Sequence, residues 1–270
     1  MKRKPFLLTA GLLLLCATSL LAHDLFLRPD SFFLRVGEPV RVRILNGTFT
    51  ASEGAVARDR LRELSLAGPP GRTRLDTAEW QTRGDTSMLT VRASAPGTWV
   101  LGASLLPRFI RLEAADFNEY LAHDGIPDVL EARRRAGELS QPARERYSKH
   151  VKTLLQVGAV RSGGYDVVMG YPAELVPLDN PYRLGVGGVL RVRALVDGAP
   201  VPGQAVLSGG RTPAGALIRE RTVRTDAAGV ARIPLRATGA WYVKFIRMVP
   251  VRGDTVDYES KWATLTFGVR

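Results

Sequence analysis

Beyond residue 22, apolar positions recur mostly at every second residue, in short runs broken by glycine, proline and aspartate. Residues 34–45, LRVGEPVRVRIL, alternate apolar and basic side chains around Gly37 and Pro39. Residues 88–93 and 98–105 read as two more strands, joined by the turn Ser94-Ala95-Pro96-Gly97. Period-two runs with turn residues between them predict an antiparallel sandwich. The alternation with valine puts Arg41, Arg43, Arg191 and Arg193 on the solvated faces of half-buried sheets.

Residues 116–158 break this pattern. Asp116 followed by Glu119 predicts a capped helix over 117–123, stopped at Gly125. Pro127 opens a second helix over 128–136. Ser140 and Pro142 open a third, to about residue 156, because Tyr147, Val151, Leu154 and Leu155 fall at i, i+4, i+7 and i+8. From Tyr171 the β pattern returns, with strands expected at 189–196, 204–208, 219–225, 230–235, 239–250 and 261–269. The expected fold is mainly β: two immunoglobulin-like or transthyretin-like sandwich regions, 23–170 and 171–270, with a helical insertion at about 116–158 in the first.

The first 22 residues have a different character. Lys2, Arg3 and Lys4 precede an apolar run from Phe6 to Cys16, and the stretch ends at Ala22. This is the layout of a secretory signal peptide, and the run is shorter than the ~20 residues a membrane span needs. Cleavage after Ala22 predicts a periplasmic or secreted protein, with no transmembrane segment after the cut. The rest of the composition, 45% hydrophobic and 24% charged over 270 residues, is that of a globular chain and excludes wholesale disorder. Three of the +12 formal charges lie in the leader, so +9 remains. Cys16, the only cysteine, lies there too, which excludes a disulfide, a thiolate metal site and a cysteine nucleophile from the mature chain.

The cut would make His23 the first residue. Its free α-amine, with a pKa near ~8, and its imidazole, near ~6.5, could then chelate one borderline cation such as Ni, Co or Cu. Two donors leave the metal's shell open, so further ligands are sought in His123, His150 and Asp257. Each has a plainer reading. His123 ends a helix, where its imidazole suits the helix C-terminus. His150 sits between Lys149 and Lys152 on the expected third helix, an unfavourable place for a dication. Asp257 belongs, with Asp254 and Glu259, to a solvated hairpin. Trp99, Trp241 and Trp262 fall inside strand patterns and are expected in the core.

Several segments together resemble a group of secreted bacterial proteins, domain-of-unknown-function family 4198. They are AHDLFLRP at 22–29, DFNEYL at 116–121, RYS at 146–148 with LLQVG at 154–158, ELVPL at 174–178 with NPY at 180–182, TDAAG at 225–229 and KWATLTF at 261–267. The resemblance implies a periplasmic β protein associated with nickel uptake or cobalt transport, with His23 as a family feature. It also implies a histidine in the strand 244–248, where this chain has Arg247.

The expected function is therefore accessory binding of a transition metal, with a metal ion and an envelope metal transporter as partners and no organic cofactor. The alternative is a metal-independent sandwich module that binds an envelope protein or glycan. Nucleic acid is disfavoured as a partner, because the chain is expected to be exported and lacks a basic aromatic motif. No nucleophile elbow or phosphate loop is present, so no enzyme activity is expected.

Overall fold

The computed structural model describes residues 23–253 and 255–270. The expected leader and Asp254 lie outside the described residues. The strands, in chain order, begin with β1 (Asp24–Pro29), β2 (Phe33–Leu34), β3 (Pro39–Gly47), β4 (Leu61–Gly68), β5 (Gly71–Arg74), β6 (Gln81–Arg83), β7 (Thr86–Arg92), β8 (Gly97–Leu105) and β9 (Arg108–Leu112). Two helices follow, α1 (Ala114–His123) and α2 (Pro127–Ala136). Then come β10 (Ala143–Val157), β11 (Ala173–Pro177), β12 (Val189–Val196), β13 (Ala199–Pro200), β14 (Ala205–Arg211), β15 (Leu217–Arg224), β16 (Val230–Pro234), β17 (Gly239–Pro250) and β18 (Tyr258–Val269).

The protein is mainly β, as the alternation predicts. A large sheet runs β15-β14-β17-β18-β10-β8-β4-β5, with β2 and β9 also paired to β10. A four-stranded sheet, β1-β3-β7-β6, covers one part of it, and β11-β12-β13 with β16 covers another. Two apolar cores lie between these layers. Leu25, Val42, Ile44 and Leu89 of the first small sheet meet Leu64, Leu101, Val151 and Leu155 of the large one. Leu175, Val192 and Ile233 of the second small sheet meet Leu154, Trp241, Phe245 and Leu265. The arginine alternation reads correctly: Val40 and Val42 are buried between exposed Arg41 and half-buried Arg43, and Leu190 and Val192 flank exposed Arg191. Trp99, Trp241 and Trp262 are buried in the core, as is Trp80.

The expected third helix is a strand. Residues 143–157 form β10, which pairs in parallel with β18 on one edge and antiparallel with β8 and β9 on the other. Tyr147, Val151 and Leu155 are separated by multiples of two as well as four, so the same apolar set marks one face of a strand. Burial on both faces and both edges removed the polar alternation that would have identified it. Leu154 packs into one core, whereas Val151 and Leu155 pack into the other. The other two helices form where expected. α1 begins one turn earlier than the Asp116 cap predicts, because the Phe117 N–H already bonds to the Glu113 carbonyl at 2.9 Å. Phe117, Tyr120 and Leu121 seat it against Ile246, Met248, Tyr258 and Trp262.

Two lysines of β10 are buried on opposite faces. Lys152, with its side chain 2% exposed, bonds to Glu174 Oε2 at 3.0 Å. Glu174 also accepts the backbone N–H groups of Met169 at 2.9 Å and Tyr171 at 2.8 Å. A carboxylate so held is tolerated in a core only while its counter-charge stays. Lys152→Ala is therefore expected to lower the unfolding free energy by about 3–5 kcal/mol, measured by urea denaturation. A change below about 1 kcal/mol would contradict the buried-pair reading.

Candidate functional site

β1 enters the first small sheet at Asp24, which stands opposite Gly47 of β3. His23 precedes it directly. Its position is fixed from below by β10: Lys149 Nζ donates to the His23 carbonyl and to Asn46 Oδ1 at 3.3 Å. The Lys149 ammonium also lies 5.0 Å from the Trp262 ring centre and 5.5 Å from that of Tyr147. Burial lowers the Lys149 pKa to about 8. The loop after β3 folds back, with the Glu53 N–H bonding to the Asn46 carbonyl at 2.9 Å. This brings Glu53 Oε2 to 3.4 Å from His23 Nδ1.

The opposite side is built by the end of α1. Its last residue, His123, and the following Asp124 are turned by Gly125, which has a φ of +77°. Here glycine is required twice over, because a Cβ would also meet Leu207 Cδ1 at 2.4 Å. His123 is exposed, with Nε2 3.9 Å from Glu119 one turn back. Asp124 is half-buried.

Between these walls is a cavity of about 300 Å³, lined by His23, Asp24, Glu53, His123, Asp124 and an aromatic group. The aromatic side is Phe26, Phe49 and Tyr242, with ring centres 4.9–5.2 Å apart. Buried Lys244 of β17 supplies the counter-charge. Its Nζ is 2.5 Å from Asp24 Oδ2 and 3.9 Å from both Asp124 Oδ1 and Glu220 Oε2. Burial pushes the Lys244 pKa down, but Asp24, Glu220 and Asp124 outweigh it and hold the ammonium above its ordinary value. Glu220 also accepts the Tyr242 hydroxyl at 2.8 Å.

Lys149 acts on Asp24 and Asp124 as well, yet the two lysines leave the group incompletely satisfied. Asp24 Oδ1 is buried without a hydrogen-bond partner. Burial, and then the charge of Asp24, raise the Asp124 pKa to about 7. A second buried carboxyl lies close to Lys149. Glu145 accepts the Tyr120 hydroxyl at 3.1 Å and the Ser260 hydroxyl, while its other oxygen has no partner. Burial raises its pKa to about 7 as well. The region is an acid-rich hollow, with Asp24, Glu53 and Asp124 on the cavity's walls. Among the described residues, no three His, Cys, Asp or Glu side chains converge as a ready metal cage.

The residues singled out from the sequence separate here. His23 and His123 line the same cavity. His150 does not. The expected solvated helix face is instead a buried strand position, where His150 lies between the hydroxyls of Ser104 at 2.9 Å and Ser148 at 3.1 Å. Burial lowers its pKa to about 3, so the ring is neutral and part of the core. Asp257 is also elsewhere, bonded to Arg144 at 3.0 Å and to the Arg144 N–H at 2.8 Å. Arg247 is exposed; from β17, Tyr242 lines the cavity and Lys244 reaches Asp24 in its wall. Sequence reading missed Asp24, Asp124 and Lys244. The only available signal was a lysine in an otherwise apolar strand, WYVKFI at 241–246.

The model of the domain of unknown function DUF4198 matches residues 20–248. The chain belongs to that family. No functionally curated protein matches it. Among solved structures, it is similar to trypsin-activated alpha-2-macroglobulin from Escherichia coli, at 12% identity and a TM-score of 0.23, over 93% of this chain and 16% of that one. A two-domain fibronectin type-III segment of chicken tenascin is 11% identical with a TM-score of 0.23, over 92% and 98%. A Salmonella alpha-2-macroglobulin mutant is 13% identical with a TM-score of 0.24, over 90% and 15%. The chain thus spans about a sixth of the macroglobulin chains, and likeness at this level carries no functional weight.

The raised carboxyls fix a pH dependence. Their charged forms are disfavoured in the folded protein, so the unfolded chain releases these protons first as pH rises. Their contribution to stability is complete below about pH 4 and is lost as pH climbs through about 7. Asp124→Asn is expected to reduce the fall in unfolding free energy between about pH 5 and about pH 8, followed by urea denaturation. An unchanged slope would contradict the assigned environment.

Proposed function

We propose that this family member is an exported accessory protein that binds a transition-metal ion, nickel, cobalt or copper, through the mature N-terminal His23, and delivers it to or buffers it for an envelope transporter. It acts by binding rather than by catalysis, in the periplasm or after secretion. Its two apolar cores are read as two immunoglobulin-like sandwich regions, with α1 and α2 as the insertion in the first. The ion is cargo.

The observation that supports this reading most is the meeting of His23 and His123, distant in sequence, on one acid-rich cavity. The donor chemistry fits a borderline dication. Cleavage after Ala22 frees the amine of His23 beside its own imidazole, and His123 offers a third nitrogen. Asp24 Oδ1, buried and without a partner in the cavity wall, is an oxygen that a cation would satisfy. Glu53 sits beside His23 Nδ1 and would orient the ring as an outer partner. Asp24 and Asp124 lower the electrostatic cost of bringing a dication near Lys244. Exchange would be practicable, because His123 stands exposed at the rim.

Titration calorimetry with Ni, Co and Cu salts tests the proposal on the processed chain. An additional N-terminal alanine is expected to weaken Co binding, which does not displace amide protons, by roughly tenfold or more, and His123→Ala by a similar factor. Equal, weak binding by the processed and extended chains would overturn the assignment to His23. An N-terminal sequence beginning elsewhere than His23 would do the same.

A further inference from the structure

We propose that the outer edge of β9 is a docking site for an extended, acidic polypeptide segment, which adds to the large sheet as a further strand. The inference is independent of metal binding. β8 and β9 lie along the same side of β10, and β4 covers β8 from outside. That cover stops where Leu61 of β4 meets Leu105 of β8. There the chain leaves through a 3₁₀ turn, Arg58–Arg60, and the final link is the Leu106 N–H to the Arg60 carbonyl at 2.8 Å. β9 continues along β10 from residue 108 to residue 112. Among the described residues, no other strand pairs with it, and no other backbone bond engages those residues. Such an edge presents alternate N–H and C=O groups to a partner's backbone.

Two further features select the partner's chemistry. The first is charge. Arg60 and Arg108 stand together where the cover ends, and among the described residues neither forms a salt bridge with a carboxylate. Arg60 Nη2 donates to the Leu106 carbonyl at 2.9 Å, but its Nε is buried without a partner. Burial and the charge of Arg108 work against the Arg60 cation, Tyr147 and Asp59 offset them only in part, and a carboxylate from outside would relieve the rest. At the other end, Arg111 and Arg144 already have Glu113 and Asp257. The least compensated charge is therefore at the Arg108 end.

The second feature is apolar. Phe109 is 66% exposed, the most exposed large hydrophobic side chain among those described. It borders a groove of about 350 Å³ that also has Ile110, Arg111, Arg144 and Val256 on its walls. An added strand that alternates acidic and apolar residues would satisfy the edge, the arginines and the groove at once. A second copy of this chain would instead bring its own Arg108 and Arg111 against these, which repel.

The test uses the full processed chain and a fluorescent peptide alternating glutamate with valine. Saturable binding is expected, weakened by added salt. Binding is expected to fall at least roughly tenfold, both with Arg108→Glu and when alternate peptide amides are N-methylated, which removes the backbone donors. Phe109→Ser, also at an exposed position, is expected to weaken binding by about threefold or more. Hydrogen exchange at residues 108–112 is expected to slow when the peptide is present. The proposal is overturned if the peptide does not bind, if the N-methylated version binds equally, or if lysine in place of glutamate makes no difference. It is also overturned if sedimentation shows that the free chain dimerises through this edge and Arg108→Glu dissolves the dimer.

Discussion

The structure depends on β10, a strand buried on both faces and both edges that nevertheless carries cations into each face. A lysine can be buried only where its ammonium meets oxygen at a fixed place. Lys152 finds Glu174, which also caps the N–H groups of Met169 and Tyr171, and so fixes the approach to β11 on one side of the sheet. Lys149, three residues earlier and so facing the other layer, finds the His23 carbonyl and Asn46. The two small sheets therefore meet β10 through charged contacts as well as apolar ones. Apolar packing alone would tolerate some sliding between layers, whereas a buried ammonium does not. The cavity inherits its position from this requirement, because the residue that Lys149 holds is the one that opens β1.

The same requirement explains the cavity's electrostatics. Lys244 is a buried cation shared by Asp24, Asp124 and Glu220, nearest Asp24, and Lys149 acts on Asp24 and Asp124 from further off. The carboxyl left furthest from balance is Asp124, whose neutral form is favoured up to about pH 7. Removing Lys244 would leave three acids facing one another at the junction of β1, β17 and the end of α1. Adding a cation to the cavity would do the reverse and return Asp124 to its charged form. The site stores an imbalance that a ligand can relieve, and burial makes the imbalance larger than the same charges would produce in water.

Much of the fold was legible. The strands at 189–196 and 239–250 coincide with the expected ranges, and α2 starts at the proline that predicted it. These elements have one wet and one dry side, or a clear helix start. β10 was not legible, because a strand covered on both faces loses alternation and its apolar spacings are shared by a helix. β4, β5, β6 and β9 were missed because they are short or rich in charge, as LRELSLAG and RFIRL show. At the site, His23 and His123 could be chosen by residue chemistry. Their meeting could not, because it depends on a chain reversal at Gly125 and on the docking of α1 over β17 and β18. Lys149, Lys152 and His150 looked like one basic helical face. In a strand, neighbours point to opposite sides, so the same residues were distributed between two cores.

The register of β1 also explains why the position of a leader cut would matter so much. Asp24 is the first paired residue of the strand, facing Gly47, and the His23 carbonyl is tied down by Lys149. A chain beginning at His23 would carry its amine within one residue of two fixed points. One further residue would move the amine out beyond both anchors and turn the His23 nitrogen into an amide, which offers a metal no lone pair until its proton is displaced. Two residues fewer would remove Asp24 and leave Lys244 without its closest carboxylate. A start at His23 would keep both the buried ion pair and a free nitrogen beside an imidazole.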